Sequence, residues 1–280
     1  MTAGAFDTHC HLQDPKIRAD FHGVMARARA AGVTGVVLCG YDAPSNAEAI
    51  ELARQEPGIY PAVGFHPHEA DGVTEEMLAA LETQAQTPEV VAVGEIGLDF
   101  YRGLAAAENQ QRLIEAQLEI ALRVGKPVSV HSRAAEDAAI DHLAPFARRA
   151  REAGIDVPGV MHCFGGTLEQ ALPYVEAGFM VSIAGPVTYP KNDEARRLAA
   201  GVPARSLVIE TDSPYLPPQM MRGKLNEPAL IFETARAVAA ARGEPVEAVL
   251  ACTSANAMRL FRVGVGVTAI GGNCWLVEGC

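Results

Sequence analysis

The chain alternates eight times between a short apolar run and a longer segment with helical periodicity. Runs such as residues 90–93 and 207–209 are continuously apolar, which is typical of parallel strands covered on both faces. Longer segments such as residues 16–31 repeat apolar side chains every three or four positions, as one face of a helix does. Eight such units in 280 residues predict the α/β class and a TIM (β/α)8 barrel.

The bounds of the predicted elements follow from the apolar runs and from their glycine and proline neighbours. We expect strands over residues 6–9, 33–39, 59–63, 90–95, 127–131, 157–162, 179–183 and 207–211. We expect helices over residues 16–31, 44–55, 74–86, 105–124, 133–153, 168–177, 193–200, 228–242 and 246–261. Gly32 is expected to end the first helix, and Pro145 to break the fifth.

Residues 1–261 carry all the strand–helix units without an internal repeat or a linker, so we predict a single domain there. Residues 262–280 match neither pattern and form a short extra C-terminal segment of unknown role. They could add a strand or hairpin outside the barrel, or form a mobile tail. A doubly wound open sheet is the alternative fold. It is disfavoured because no glycine-rich dinucleotide-binding motif follows any strand.

The composition indicates in which cellular compartment the protein acts and which partners it binds. The first 20 residues are polar and resemble no signal peptide, and no apolar run could span a bilayer. Six scattered cysteines are too sparse for a disulfide-stapled domain, so we expect a cytoplasmic protein with reduced thiols and no membrane partner. We expect a monomer. The net charge of −11 argues against broad nonspecific binding of nucleic acid. It leaves a phosphate substrate open, because bound cations reverse the potential locally.

Polar residues stand at the ends of six predicted strands. His9 and His11 are two apart on the first strand, so their imidazoles point to the same side. The other strand ends carry His66, Glu95, His131, His162 and Asp212. Any one of these has an ordinary structural role, as a hydrogen-bonded histidine or a turn cap. In a barrel, however, all carboxyl ends of strands meet at one face. The set therefore predicts a metal site.

The donors are imidazole nitrogens and carboxylate oxygens, without cysteine. Four histidines with Glu95 and Asp212 are more ligands than one ion needs, so they suit two divalent ions that share a bridging carboxylate. The sequence leaves Mg, Mn and Zn all open. Cys10 and Cys163 each adjoin a predicted ligand. Strand alternation turns them the other way, so we interpret both as core residues.

Several motifs of the chain resemble those of the TatD-type metal-dependent DNases of the amidohydrolase superfamily. They include Asp-Thr-His-Cys-His-Leu, Gly-Phe-His-Pro-His, Gly-Glu-Ile-Gly-Leu-Asp-Phe, Pro-Val-Ser-Val-His-Ser-Arg, His-Cys-Phe-Gly-Gly and Ile-Glu-Thr-Asp-Ser-Pro-Tyr-Leu. Two later segments, residues 222–228 and 256–261, match as well. The resemblance covers residues 5–261 in the same order. The chain departs from the family after Phe261, where such proteins usually stop.

The resemblance implies a TIM barrel and a divalent-metal phosphodiesterase, often described as a 3′–5′ exonuclease on DNA. It makes His9, His11, Glu95 and Asp212 the ligands of one metal ion. It makes Glu95, His131 and His162 the ligands of the other. Many members of the superfamily bridge their metals through a carboxylated lysine. Glu95 stands in that place here, which favours the phosphodiesterase group.

Phosphodiester hydrolysis assigns further roles to the predicted site. Asp212 can bind metal and also take a proton from the attacking water. Arg133 follows His131 by two residues and could grip a phosphate, or simply be a surface charge. His66 could donate to the phosphate or to the leaving oxygen. Asp7 and Glu210 share strand parity with His9 and Asp212, and could fix the orientation of imidazoles.

Three functions remain open at this stage. We expect a deoxyribonuclease that trims single-stranded or frayed DNA from its 3′ end, because an acidic chain can grip few phosphates. Contact with few phosphates predicts a shallow salt dependence, with a log–log slope of about −1 to −2. The alternatives are another hydrolase of the superfamily, which cleaves an ester, amide or aminoacyl bond, and a metal-dependent binding protein without catalysis.

Overall fold

The computed structural model describes residues 4–264 and contains an eight-stranded parallel barrel in chain order. The strands are β1 Ala5–Cys10, β2 Val33–Cys39, β3 Ile59–Val63, β4 Ala92–Asp99, β5 Val128–Arg133, β6 Gly159–Met161, β7 Met180–Ile183 and β8 Leu207–Ile209. The barrel closes where the chain leaves β8: the N–H of Asp212 donates to the carbonyl of His9 at 2.9 Å, and that of His11 to Ser213 at 2.6 Å. The predicted TIM barrel is confirmed.

Ten α-helices within residues 4–264 accompany the strands. They are α1 Pro15–Arg18, α2 Phe21–Ala31, α3 Ala43–Gln55, α4 Glu75–Ala85, α5 Ala107–Val124, α6 Glu136–Glu152, α7 Leu168–Ala177, α8 Asp193–Gly201, α9 Ile231–Arg242 and α10 Val246–Phe261. Gly32 ends α2 in the left-handed conformation with φ of 102°, as expected. None of the helices within residues 4–264 has the length and hydropathy needed to cross a bilayer.

Two helix predictions are wrong in detail. The helix expected over residues 16–31 is divided at Ala19 and Asp20. Asp20 occupies the N-cap position of α2 without a side-chain capping hydrogen bond, and aspartate is unfavourable in helix interiors. The helix expected to break at Pro145 runs through it. Pro145 and Asp141, one turn earlier, are both exposed. The carbonyl that loses its N–H donor to proline therefore faces water, which lowers the cost.

Strand ends also shift. β4 extends four residues beyond Glu95, and its pairing with β5 is irregular between Val93 and Ile96. Glu95 therefore lies at an irregularity inside the strand rather than at its end. β6 and β8 are shorter than expected, so His162 and Asp212 follow their strands in connecting segments.

Apolar packing leaves one end of the barrel for the polar residues. An outer layer packs the strands against the helices, and a smaller cluster fills the barrel interior. At the N-terminal end of the strands, Phe6 stacks between Tyr60 and Phe261, with ring centroids 5.6 and 6.4 Å apart. α10 thus helps to close that end, and the polar side chains gather at the opposite end.

Of the predicted C-terminal segment, only residues 262–264 are described. The strand, hairpin or tail predicted for it lies outside the described residues. The division into a domain over residues 1–261 and a separate segment stays a prediction.

Candidate active site

The structure brings the six predicted metal ligands into one buried cluster. Nε2 atoms of His9 and His11 lie 3.1 Å apart, and Nε2 of His11 lies 3.6 Å from Oδ1 of Asp212. The candidate ligand atoms fall into three overlapping groups, each within 4.8 Å: His9, His11 and Asp212; His9, Glu95 and His162; His66, Glu95 and His131.

The two carboxylate oxygens of Glu95 face different partners. Oε2 lies 3.4 Å from Nε2 of both His9 and His11. Oε1 lies 3.1 Å from Nδ1 of His131 and 3.5 Å from Nε2 of His162. A carboxylate whose oxygens address two separate sets of nitrogens has the arrangement that a bridging ligand requires.

Next to Glu95, the backbone of β4 lies very close to β5 and to the turn after β3. A Cβ atom on Gly97 of β4 would lie 1.9 Å from the carbonyl oxygen of His131, and the φ of Gly97 is 142°. A Cβ atom on Gly64, after β3, would lie 2.9 Å from the carbonyl oxygen of Glu95. Only glycine allows both approaches. They bring His66 and His131 together beside Oε1 of Glu95, with ring centroids 4.6 Å apart.

Buried side-chain amides on the helices hold the turn after β3. Asn46 of α3 donates to the carbonyl of Gly64 and accepts from its N–H, both at 3.0 Å. Gln117 of α5 accepts from the N–H of Phe65 at 2.7 Å and donates to its carbonyl at 3.0 Å. These four hydrogen bonds fix the turn that carries His66.

Three of the candidate ligand imidazoles have one nitrogen tied to a carbonyl or carboxylate oxygen outside the cluster. Nδ1 of His11 donates to the carbonyl of Cys39 at 2.8 Å, and Nδ1 of His162 contacts Glu210 at 2.8 Å. Nε2 of His131 contacts Asp99 at 3.2 Å. When neutral, each ring then presents a lone pair to the cluster. This donor set fits divalent metal ions.

His66 differs from these three. Its Nδ1 accepts from the N–H of His68 at 3.2 Å, so in the neutral ring the proton is on Nε2, which faces Oε1 of Glu95 at 3.5 Å. Burial lowers the pKa of His66 to about 3, which keeps the ring neutral. His66 is therefore arranged as a hydrogen-bond donor rather than as a ligand.

Burial and the neighbouring charges shift the pKa values of the two central carboxylates, Asp212 and Glu95, in opposite directions. Burial raises the pKa of Asp212 to about 8, with Glu210 and Glu95 adding to the rise. Burial acts in the same direction on Glu95, but the surrounding imidazoles outweigh it and hold its pKa well below the usual range. Glu95 is thus a permanent anion, whereas Asp212 can carry a proton near neutral pH.

The two outer carboxylates predicted to orient imidazoles have different contacts. Glu210 contacts the ring of His162, as predicted for this role. Asp7 accepts from the N–H and hydroxyl of Thr211 at 2.9 and 2.5 Å, and from the N–H of His9 at 3.3 Å. The prediction that Asp7 orients an imidazole is wrong. Asp7 reaches Thr211 because the segment after β8 runs beside β1 there, with Cys10 and Ser213 paired in parallel.

The core assignment of Cys163 is also wrong, whereas Cys10 is fully buried. β6 ends at Met161, so strand alternation no longer applies to Cys163. Cys163 has a φ of 42° and is partly exposed. Burial and the nearby charges of Glu210, Asp212 and Glu95 raise the pKa of its thiol, so the side chain lies beside the cluster rather than in the apolar core.

Arg133 extends from the end of β5 into the mouth of the cluster. Its guanidinium lies 4.1 Å from the ring centroid of Tyr101, in the connection after β4. Both side chains are exposed, and Arg133 has no acidic partner within residues 4–264. Arg133 is therefore available to an anionic ligand.

A search against protein families matches the model for TatD related DNase to residues 6–262. The match covers the whole barrel and all the residues of the cluster. The chain belongs to the TatD related DNase family. It is a hydrolytic enzyme of a metal-dependent family.

Relatives and a solved structure agree with this placement. The chain is 35% identical to "Uncharacterized metal-dependent hydrolase YabD" of Bacillus subtilis over 258 residues, which covers 92% of this chain and 99% of YabD. It is 37% identical to "3'-5' ssDNA/RNA exonuclease TatD" of Erwinia billingiae, with coverage of 92% and 99%. The crystal structure of the TatD homologue YjjV of Escherichia coli K12 matches with a TM-score of 0.87 and 32% identity, covering 94% of this chain and all of YjjV.

Within this TatD-family site, sequence reasoning missed Asp99 and His68. Oδ2 of Asp99 contacts Nε2 of both His68 and His131, at 2.9 and 3.2 Å. Oδ1 accepts from the N–H groups of Tyr101 and Arg102 at 3.0 and 2.8 Å. One carboxylate therefore joins a candidate ligand to the connection after β4. The available signal was the position of Asp99 in the Gly-Leu-Asp-Phe motif, two residues beyond Gly97.

Proposed function

We propose that the protein is a two-metal phosphodiesterase that trims single-stranded DNA from its 3′ end. The observation that carries the proposal is the placement of Glu95. Its two carboxylate oxygens face separate sets of imidazole nitrogens at 3.1–3.5 Å. The family match supports hydrolysis. The Erwinia billingiae relative is named a 3'-5' ssDNA/RNA exonuclease, which supports a single-stranded nucleic acid as substrate and the 3′-to-5′ direction.

The cluster would hold the ions through two ligand sets. His9, His11 and Asp212 with one oxygen of Glu95 would form the first, and His131 and His162 with the other oxygen the second. Bound divalent ions would lower the pKa of a water molecule and neutralise charge on the scissile phosphate. We assign His66 to neither set, because its inward nitrogen carries the proton.

The chain's own residues would divide the remaining work. Asp212, deprotonated when it binds the ions, would accept the proton of the attacking water. The Nε2–H of His66 would donate to a phosphoryl or leaving oxygen. Arg133 would hold a non-bridging phosphate oxygen through its fork of N–H groups.

The few unpaired cations at the mouth favour action at a strand end. In a chain with a net charge of −11, no long basic track is available to hold a duplex. Gripping one or two phosphates predicts a log–log salt slope of about −1 to −2 for affinity, at roughly −0.7 per phosphate of single-stranded DNA.

The test is a time course on oligonucleotides labelled at either end, with closed circular DNA, RNA and a panel of small esters, each with and without EDTA. We expect metal-dependent shortening from the 3′ end and little cutting of the circle. Efficient cutting of circular DNA or a steep salt slope would contradict end trimming. Hydrolysis of esters but not of oligonucleotides would show that the protein is a hydrolase of ester bonds other than the phosphodiesters of nucleic acids.

A further inference from the structure

A cavity lies between the connection after β7 and the connection after β8. Its volume is about 410 Å³, and it is lined by Tyr189, Pro190, Lys191, Asn192 and Arg222. Both connections leave the carboxyl ends of their strands, so the cavity opens on the same face of the barrel as the cluster. Neither the family match nor the relatives assign it a role.

The aromatic wall of the cavity is held in place. The hydroxyl of Tyr189 donates to the carbonyl of Pro217 at 3.0 Å. The carbonyl of Tyr189 accepts from Nη1 of Arg196 at 2.7 Å. The guanidinium of Arg222 lies 5.0 Å from the centroid of the Tyr189 ring. A fixed ring next to a planar cation offers flat surfaces without a large loss of side-chain entropy on binding.

The charge of the cavity is opposite to that of the whole chain. Lys191 and Arg222 are exposed, and within residues 4–264 neither forms an ion pair with an acidic side chain. Many arginines on the outer helices do form such pairs, as Arg123 does with Glu82 at 2.8 Å. Two uncompensated cations in a chain with a net charge of −11 point to an anionic ligand.

The cavity is close to the reaction centre. The hydroxyl of Tyr189 is hydrogen-bonded to Pro217, which follows the candidate ligand Asp212 by five residues. Between them, the N–H of Tyr215 donates to the carbonyl of Asp212 at 2.8 Å. A strand whose terminal phosphate reaches the cluster would therefore pass this cavity with a neighbouring nucleotide.

We propose that the cavity is a subsite for one unpaired nucleotide of the substrate strand, with the base against Tyr189 and its phosphate on Arg222 and Lys191. This rests on the proposed nuclease function and adds a cause for strand selectivity. A base inside a duplex is already paired and stacked on both sides. It can reach the ring only after it unpairs, so the subsite favours single strands.

The test scans a single-stranded 8-mer in which each position in turn is made abasic. In the wild type, we expect one position at which loss of the base raises KM about 5- to 100-fold, as for other base–aromatic stacks. In Tyr189→Ala, KM should rise by a similar factor, and the abasic substitution at that position should then add little. Tyr189→Phe keeps the ring and should remain sensitive. If the KM effects of Tyr189→Ala and of the abasic substitution multiply at every position, Tyr189 supports the loop without contacting a base.

The cationic side is tested by salt. Arg222→Ala should weaken binding of the intact 8-mer in EDTA, measured by fluorescence anisotropy, and make the log–log salt slope shallower by about 0.7. Arg148→Ala on α6 is the matched control: this arginine is exposed and has no ion-pair partner within residues 4–264. The control should leave the slope unchanged. Equal effects of the two variants would overturn the proposed phosphate contact.

The two proposals fail in different ways. If the wild type shortens oligonucleotides but no abasic position matters to Tyr189→Ala, the subsite is wrong and the nuclease function stands. If the wild type shortens no oligonucleotide with any divalent ion, the nuclease function is wrong. If the affinity measured by anisotropy then depends neither on any base of the 8-mer nor on Tyr189, the subsite is wrong as well.

Discussion

At the scale of single residues, Glu95 is the anion that both ligand sets share. We expect Glu95→Ala to lower kcat by at least about 1,000-fold, because bound metal ions contribute several kcal/mol of transition-state stabilisation. Metal content per chain, measured by mass spectrometry on the purified variant, should fall for both ions. His162→Ala should cost less, because it removes a ligand of only one set. Near wild-type turnover of Glu95→Ala with both ions bound would refute the bridging role.

Asp99 carries a second prediction at this scale. Asp99→Asn keeps an oxygen for the N–H groups of Tyr101 and Arg102 but removes the charge beside His131. Loss of such a partner typically lowers metal affinity about 10- to 100-fold, and competition with a chromophoric chelator would measure it. His68→Ala leaves the contact between Asp99 and His131 intact and should have a smaller effect. Unchanged affinity in Asp99→Asn would limit this residue to anchoring the loop.

Residue spacing was enough to predict the members of the cluster, but not their protonation or partners. His9 and His11 could be paired from strand geometry, and the others from their place after apolar runs. The tautomer of His66 depends on one N–H group two residues away in a turn. The contact of Asp7 depends on how the segment after β8 pairs with β1. Contacts of this kind depend on three-dimensional register, which no local pattern contains.

At the scale of elements, buried amides join helices to loops. Gln117→Ala would leave the N–H and carbonyl of Phe65 buried without partners, at about 1–3 kcal/mol each. We expect the free energy of unfolding in urea to fall by about 2–6 kcal/mol, and kcat to fall while metal content is kept. Gln111→Ala on the same helix removes a partly exposed amide and should change stability by under about 0.5 kcal/mol. Equal effects of the two variants would show that the amide of Gln117 is not required.

The order and type of the elements could be predicted because eight apolar runs and their amphipathic partners repeat along the chain. The first and last residues of the elements were harder to predict. Pro145 was expected to break a helix, but its exposed position makes the missing donor tolerable. β4 was expected to end at Glu95, but its irregular pairing lets the strand continue to Asp99. In both cases the environment of a residue, which depends on the whole fold, outweighed its local propensity.

At the scale of the whole molecule, metal removal should lower stability. Five carboxylates are buried near the cluster, namely Asp7, Glu95, Asp99, Glu210 and Asp212, and bound cations would compensate their charge. At a free metal concentration 100 times Kd, binding adds about 2.7 kcal/mol. For a chain of this size, that corresponds to a rise in Tm of roughly 5–10 °C. Calorimetry with and without EDTA measures it. Glu95→Gln should show a much smaller rise, and an equal rise in that variant would place the bound ions elsewhere.

The amide clamps of Asn46 and Gln117 grip main-chain atoms of the turn after β3, not its side chains. The path of the backbone is therefore anchored from the helices. Outward-facing side chains in such turns can be exchanged without moving the histidine that the turn presents. For an engineer, this separates two kinds of position. Helix amides should be kept unchanged, whereas the exposed loop residues form a library in which substrate preference can be varied on an intact catalytic frame.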